Sequence, residues 1–165
     1  MLLTAPYIRN KTAAIMWRLA QDTDDTAIVE MCGALNAEDP GVRPVPASHV
    51  TRTLEIFRRE PTRGLAVILE LEGAVQGYAF LASFWSNEVG GEICYIDELY
   101  VRPTARGRGY ATQLITSLIG QESSLWPRPI VAVDLEVTPS NARARALYTK
   151  LGFSPAKNQQ MRFRF

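Results

Sequence analysis

Apolar positions along the chain switch between a period of two and a period near 3.6, and the switches delimit its elements. Residues 1–15 carry no period and read as a flexible N-terminal extension ahead of one domain over 16–165, with Met16 an alternative start. Trp17-Arg18-Leu19-Ala20 alternates as a strand. Asp22 then opens a helix whose Ile28, Met31, Cys32 and Leu35 share one face. Pro40, Gly41, Pro44 and Pro46 mark a loop. Ser48 is placed to cap a second helix with Val50, Leu54 and Phe57 on its apolar side, stopped at Pro61. From Leu65 the period falls to two. Residues 65–71 and 74–84 read as strands joined in a hairpin at Glu72-Gly73, and 93–101 as a third.

Gly107 and Gly109 precede a helical stripe of Ala111, Leu114, Ile115, Leu118 and Ile119. Val131, Val133, Leu135 and Val137 alternate as a further strand after Pro127 and Pro129. Ala144, Leu147, Tyr148 and Leu151 line a last helix that Gly152 terminates, and Met161, Phe163 and Phe165 alternate as a closing strand. The order β-α-α-β-β-β-α-β-α-β implies an α+β fold, a mixed sheet with helices on its faces.

Composition narrows the chemistry. A length of 165 residues suits one domain with a full core. Eighteen basic against seventeen acidic residues leave a net charge of +1, too balanced for a phosphate-reading surface, so no nucleic-acid partner is expected. His49 is the single histidine, and Cys32 and Cys94 fit no metal or disulfide spacing. No metal is therefore expected. No apolar run approaches the roughly 18 residues of a membrane span, so the protein reads as cytoplasmic with no membrane partner.

The most informative run is Arg106-Gly107-Arg108-Gly109-Tyr110-Ala111, a glycine-rich turn between a strand and the first turn of a helix. Unpaired N–H groups and the positive end of the helix dipole make such a turn an anion site. Arg106 and Arg108 add charge suited to phosphate. The other reading is a tight turn with solvated arginines.

This run resembles the Gln/Arg-x-x-Gly-x-Gly/Ala pattern of the GNAT superfamily of N-acetyltransferases. A second stretch resembles it too: Leu135-Glu136-Val137, then Asn141, Ala146, Tyr148 and Leu151-Gly152-Phe153. The resemblance implies a twisted, mostly antiparallel central sheet of six to seven strands flanked by about four helices. It implies acetyl-CoA as co-substrate, an amine acceptor, direct attack in a ternary complex, and a homodimer as one assembly open to the chain. The amides of the turn, from Arg106 through Gly107, Arg108, Gly109 and Tyr110 to Ala111, would hold the pyrophosphate. Leu99, Tyr100 and Val101 would border the pantetheine arm, with Leu99 and Val101 offering backbone groups in a gap between splayed strands. Asn141 would touch the cofactor or cap the last helix.

Acetyl transfer needs a neutral amine, a donor for the carbonyl oxygen and an acid for the departing thiolate. Tyr148 occupies the position of the family's acid; otherwise it is a core tyrosine. Two carboxylates compete as base. Glu98 stands within an apolar strand and by simple alternation shares a face with Ile96 and Tyr100, with Asp97 opposite. Glu136 lies twelve residues before Tyr148, a spacing that resembles the family's peptide N-terminal acetyltransferases. Glu98 is slightly favoured. Cys94 reads as a strand residue rather than a nucleophile. The acidic pair Glu38-Asp39 reads as a solvated loop or as a contact for a cationic amine. The alternative from another class is a protein of this fold that senses acyl-CoA without turnover.

Overall fold

The computed structural model describes residues 16–41, 43–121, 124–157 and 161–165. The expectation for 1–15 lies outside these. Five strands, β1 (Trp17–Leu19), β2 (Gly64–Leu71), β3 (Ala74–Ser86), β4 (Gly91–Val101) and β5 (Ala132–Leu135), form one sheet in that spatial order. The first three pairings are antiparallel and β4 pairs β5 in parallel. Among the described residues, four α-helices cover the sheet: α1 (Asp25–Glu38), α2 (Ala47–Arg59), α3 (Tyr110–Ile119) and α4 (Ala142–Lys150).

Strand alternation divides the core in two. Val67, Leu69, Ala79, Leu81, Cys94 and Ile96 pack with Leu114, Ile115 and Leu118 of α3. Ile68, Tyr78, Phe80 and Tyr100 face the other way, against Ile28, Met31 and Cys32 of α1 and Val50 and Leu54 of α2. Each large side chain so buried contributes about 1.5–3 kcal/mol, which is why the helical stripes lie flat on the sheet.

Within β4 the alternation is interrupted. Leu81 opposes Ile96 but its neighbour Phe80 opposes Glu98, so Asp97 is an extra residue, a β-bulge. The bulge leaves Glu98 with Tyr100 on the α1 face, as expected, but puts Ile96 on the opposite face, which strict alternation did not foresee.

Two further expectations are revised. Helix α2 is entered from Pro46, whose extended backbone precedes the first turn, and no side chain caps it, so Ser48 is inside the helix. Met161, Phe163 and Phe165 form no strand and are exposed, so the sheet has five strands among the described residues, not six to seven. Alternation is a local pattern; a strand also needs a partner edge to bond, and none pairs with this segment among the described residues.

Candidate active site

Two opposite walls define the site. On one side, β4 and β5 are hydrogen-bonded neighbours only from Ile93/Ala132 to Ile96/Leu135. Beyond the bulge β4 runs on to Val101 with its β5-side edge unpaired, and the chain after Leu135 diverges into the turn before α4. A cavity of about 720 Å³ follows this fork. Leu99, Tyr100, Val101, Arg106, Gly107, Gly109, Tyr110 and Ala111 line one wall, Asn141, Arg143, Leu147 and Tyr148 the other, and Leu35, Glu38 and Asp39 of α1 close over it.

The turn ahead of α3 adopts the conformation its glycines permit. Gly107 and Gly109 have φ of +79° and +82°, and Gly109 is the left-handed N-cap of α3. A side chain there would be strained by backbone geometry alone, because a Cβ at either position meets no protein atom within 4 Å. No side chain caps α3, which leaves its first-turn N–H groups for another acceptor. The turn is anchored from below by Trp17, whose indole N–H donates to the Tyr110 carbonyl at 3.0 Å.

The two arginines of the turn differ. Arg108 is exposed and does not line the cavity. Arg106 points inward and is engaged on three sides: Nε donates to the Val101 carbonyl at 2.6 Å, Nη2 to Glu38 at 2.7 and 3.0 Å, and the guanidinium lies 5.1 Å from the Tyr100 ring centre. The Val101 carbonyl therefore already has a donor. Asn141 does cap α4, its Oδ1 accepting from the Ala144 N–H at 3.1 Å, and its Nδ2 donates to Asp39 at 2.8 Å.

Tyr148 is the third-last residue of α4, in the turn that ends in a Schellman motif. Gly152 has φ +94°, its N–H reaches Thr149, and the Phe153 N–H donates to the Tyr148 carbonyl at 3.0 Å. The Phe153 ring folds back to 5.8 Å from the Tyr148 ring. This explains the Leu-Gly-Phe sequence: the capping motif holds Tyr148 against the cavity. Burial, and then the nearby Asp39 carboxylate, push the Tyr148 phenol above its usual pKa.

Asp97, Glu98 and Glu136 do not line the cavity itself. Glu98 lies under α1, accepts the Tyr78 hydroxyl at 2.7 Å, and is pushed upward by burial, with the Tyr78 hydrogen bond opposing. Glu136 is exposed on the far side of the fork, near Tyr95 and Asp97. Asp97 keeps an exposed face, yet the surrounding protein and then Glu136 raise its carboxyl. Both cysteines are buried, which pushes Cys94 to about 12 and Cys32 to about 11, so neither thiol supplies a thiolate near neutral pH. Among the described residues no cluster of His, Cys, Asp and Glu is arranged to hold a metal, and no helix is long and apolar enough to cross a membrane.

Residues 28–153 match the model of the acetyltransferase (GNAT) family. The chain belongs to the GNAT acetyltransferase family. No curated protein matches it in sequence. Among solved structures, a possible acetyltransferase from Clostridium difficile 630 superposes with a TM-score of 0.75 at 18% identity, covering 90% of this chain and 96% of the other. A ribosomal-protein-alanine N-acetyltransferase from Brucella melitensis gives 0.68 at 19%, covering 90% and 99%. A predicted acetyltransferase with acetyl-CoA from Clostridium acetobutylicum gives 0.71 at 20%, covering 89% and 94%. At such identities the likeness is one of fold. The GNAT domain thus spans the forked sheet, the glycine turn and the capped α4.

Sequence reasoning noticed Glu38 and Asp39 but missed their bonding across the cavity. Both carboxylates are bonded to groups on the cavity walls rather than free in a solvated loop, and the Glu38 side chain keeps 42% exposure. Their signal was the placement of two acids at a helix C-terminus, where the dipole disfavours them.

Proposed function

We propose that the protein transfers the acetyl group of acetyl-CoA directly to the primary amine of a small-molecule or peptide acceptor in a ternary complex. The observation carrying this is the fork: an unpaired β4 edge leading from a donor-rich helix N-terminus to the Tyr148 ring. The residues present fit the coenzyme. Positive-φ glycines with open space above them and the uncapped amides of α3 suit a diphosphate, and the free edge at 99–101 suits amide groups lying alongside as an added strand.

When bound, the coenzyme supplies an acetyl thioester. The chain's own groups then divide the remaining work. Glu98 takes the proton of the incoming ammonium, directly or through one water; burial raises its affinity for that proton toward the useful range. The freed nitrogen forms the new N–C bond as the C–S bond breaks, and Tyr148 gives its hydroxyl proton to the departing sulfur. Glu136, exposed at the fork, holds the cationic end of the acceptor, and is the base if Glu98 is not. The thiols take no part.

The test is initial-rate kinetics with acetyl-CoA and an amine varied together. Intersecting double-reciprocal lines, with activity kept in Cys94→Ser, are expected. Parallel lines, the mark of a covalent acetyl-enzyme, would overturn direct transfer. Binding of coenzyme A with no turnover of any amine would leave the protein a sensor.

A further inference from the structure

Helix α1 ends in two consecutive carboxylates, Glu38 as its last residue and Asp39 as its C-cap, with no basic residue in the last turn. Acidic groups are disfavoured at that end of a helix, so both need partners elsewhere, and they find them on opposite walls of the cavity. Glu38 accepts from Arg106 Nη2 at 2.7 and 3.0 Å and from the Tyr100 hydroxyl at 3.2 Å, groups of β4 and the glycine turn. Asp39 accepts from the Thr138 hydroxyl at 2.7 Å and from Asn141 Nδ2 at 2.8 Å, groups of the segment entering α4. Because Asn141 also caps α4, Asp39 is coupled to the first turn of the helix that carries Tyr148.

Two neighbouring residues therefore join walls that the sheet leaves apart. A cavity of about 720 Å³ remains beneath them, lined in part by both, so the joined state coexists with room for a ligand. We propose that Glu38 and Asp39 form a two-armed clasp that sets the separation of the cleft walls and roofs the bound coenzyme arm, as positioning residues for acetyl transfer. This rests on the acetyltransferase reading above. One arm occupies the charge of Arg106, so the turn's hold on a diphosphate comes chiefly from its backbone amides, and Arg106 serves as the receiver of the clasp. The other arm acts on chemistry as well. Glu38, Asp39, Arg106 and Arg143 are the charged groups lining the cavity with Tyr148, and Asp39 is the one whose charge helps keep the phenol protonated.

The test uses the full chain and the variants Glu38→Gln, Asp39→Asn and both together, which keep side-chain size and remove charge. Dissociation of coenzyme A is followed by stopped flow, with thermal melts to show folding. Each single variant should release coenzyme A about tenfold faster, the scale of one charge-assisted hydrogen bond. The double variant should fall well short of the product of the two, because opening one arm already frees the walls. Asp39→Asn, and not Glu38→Gln, should also move the alkaline limb of the kcat profile to lower pH. Should a charge variant melt early, Thr138→Val, which removes one partner of Asp39 by deleting a hydroxyl, should still speed release. Release rates within twofold of wild type in all variants, or a fully multiplicative double variant, would overturn the clasp. Wild-type protein that fails to bind coenzyme A would instead sink the acetyltransferase reading and the clasp with it.

Discussion

Replacing Tyr148 with phenylalanine separates chemistry from packing, because the structure isolates the hydroxyl. The ring is held by the Phe153 contact at 5.8 Å and by the Schellman bond from Phe153 to its carbonyl at 3.0 Å, and phenylalanine keeps both. The hydroxyl itself has no hydrogen-bond partner among the described residues. Its loss should therefore change stability by less than about 1 kcal/mol, the net worth of one ordinary hydrogen bond. For a domain of this size that is a Tm shift of about 2–4 °C at most. Turnover should respond differently. Loss of one positioned proton donor lowers kcat by about ten- to a thousand-fold, while coenzyme A affinity stays near wild type, since the donation occurs only as the C–S bond breaks. The pH profile gives a second reading. An acid acts while protonated, and burial and Asp39 hold the phenol above its ordinary value. Activity limited by Tyr148 thus persists into alkaline solution and then falls; in the phenylalanine variant that alkaline limb should vanish. Thiol release, calorimetric binding of coenzyme A and a thermal melt on the same preparation suffice. A kcat within threefold of wild type, or a fall matched by lost folding or lost coenzyme binding, would make Tyr148 a core residue.

Gly109→Ala should cost about 1–2 kcal/mol from its left-handed backbone alone, since a Cβ there meets no protein atom within 4 Å, and should reduce the melting-temperature rise produced by coenzyme A; an undiminished rise would detach the turn from the coenzyme. Glu98 has a folded-state pKa raised by burial, so stability it contributes below its unfolded value of about 4.3 is lost as pH rises through the folded value; Glu98→Gln should match wild type in stability near pH 4 and exceed it increasingly toward neutrality, and a constant difference would contradict the assignment. In kinetics the same variant should flatten the acidic limb of kcat/KM with a loss of about 10²- to 10⁴-fold, whereas Glu136→Gln should chiefly raise the amine KM; the reverse pattern would exchange their roles.

What the sequence reveals of this molecule follows the range over which each feature is determined. Periodicity disclosed the helices of both core layers, and two glycines before an apolar stripe disclosed the turn at α3, because these depend on neighbours a few residues apart. The hairpin at Glu72-Gly73 is local in the same sense: β2 ends at Leu71 and β3 begins at Ala74. The bulge at Asp97 is not local. It arises from how β4 registers on β3, so alternation alone grouped Glu98 with Ile96 as well as with Tyr100. The clasp is hidden for the same reason, its arms joining residues 62, 68, 99 and 102 positions apart. At 161–165 a local pattern produced an expected strand that is not found among the described residues.

Acetyl transfer to an amine is tested by incubating the full chain with acetyl-CoA and a panel of primary amines and peptide N-termini, following free thiol and the mass of the acceptor together. Thiol release that depends on one class of amine, an N-acetylated product formed in equal amount, and loss of both in the Tyr148→Phe variant are expected. Tight binding of acetyl-CoA with no amine-dependent thiol and no acetylated product across the panel would contradict it.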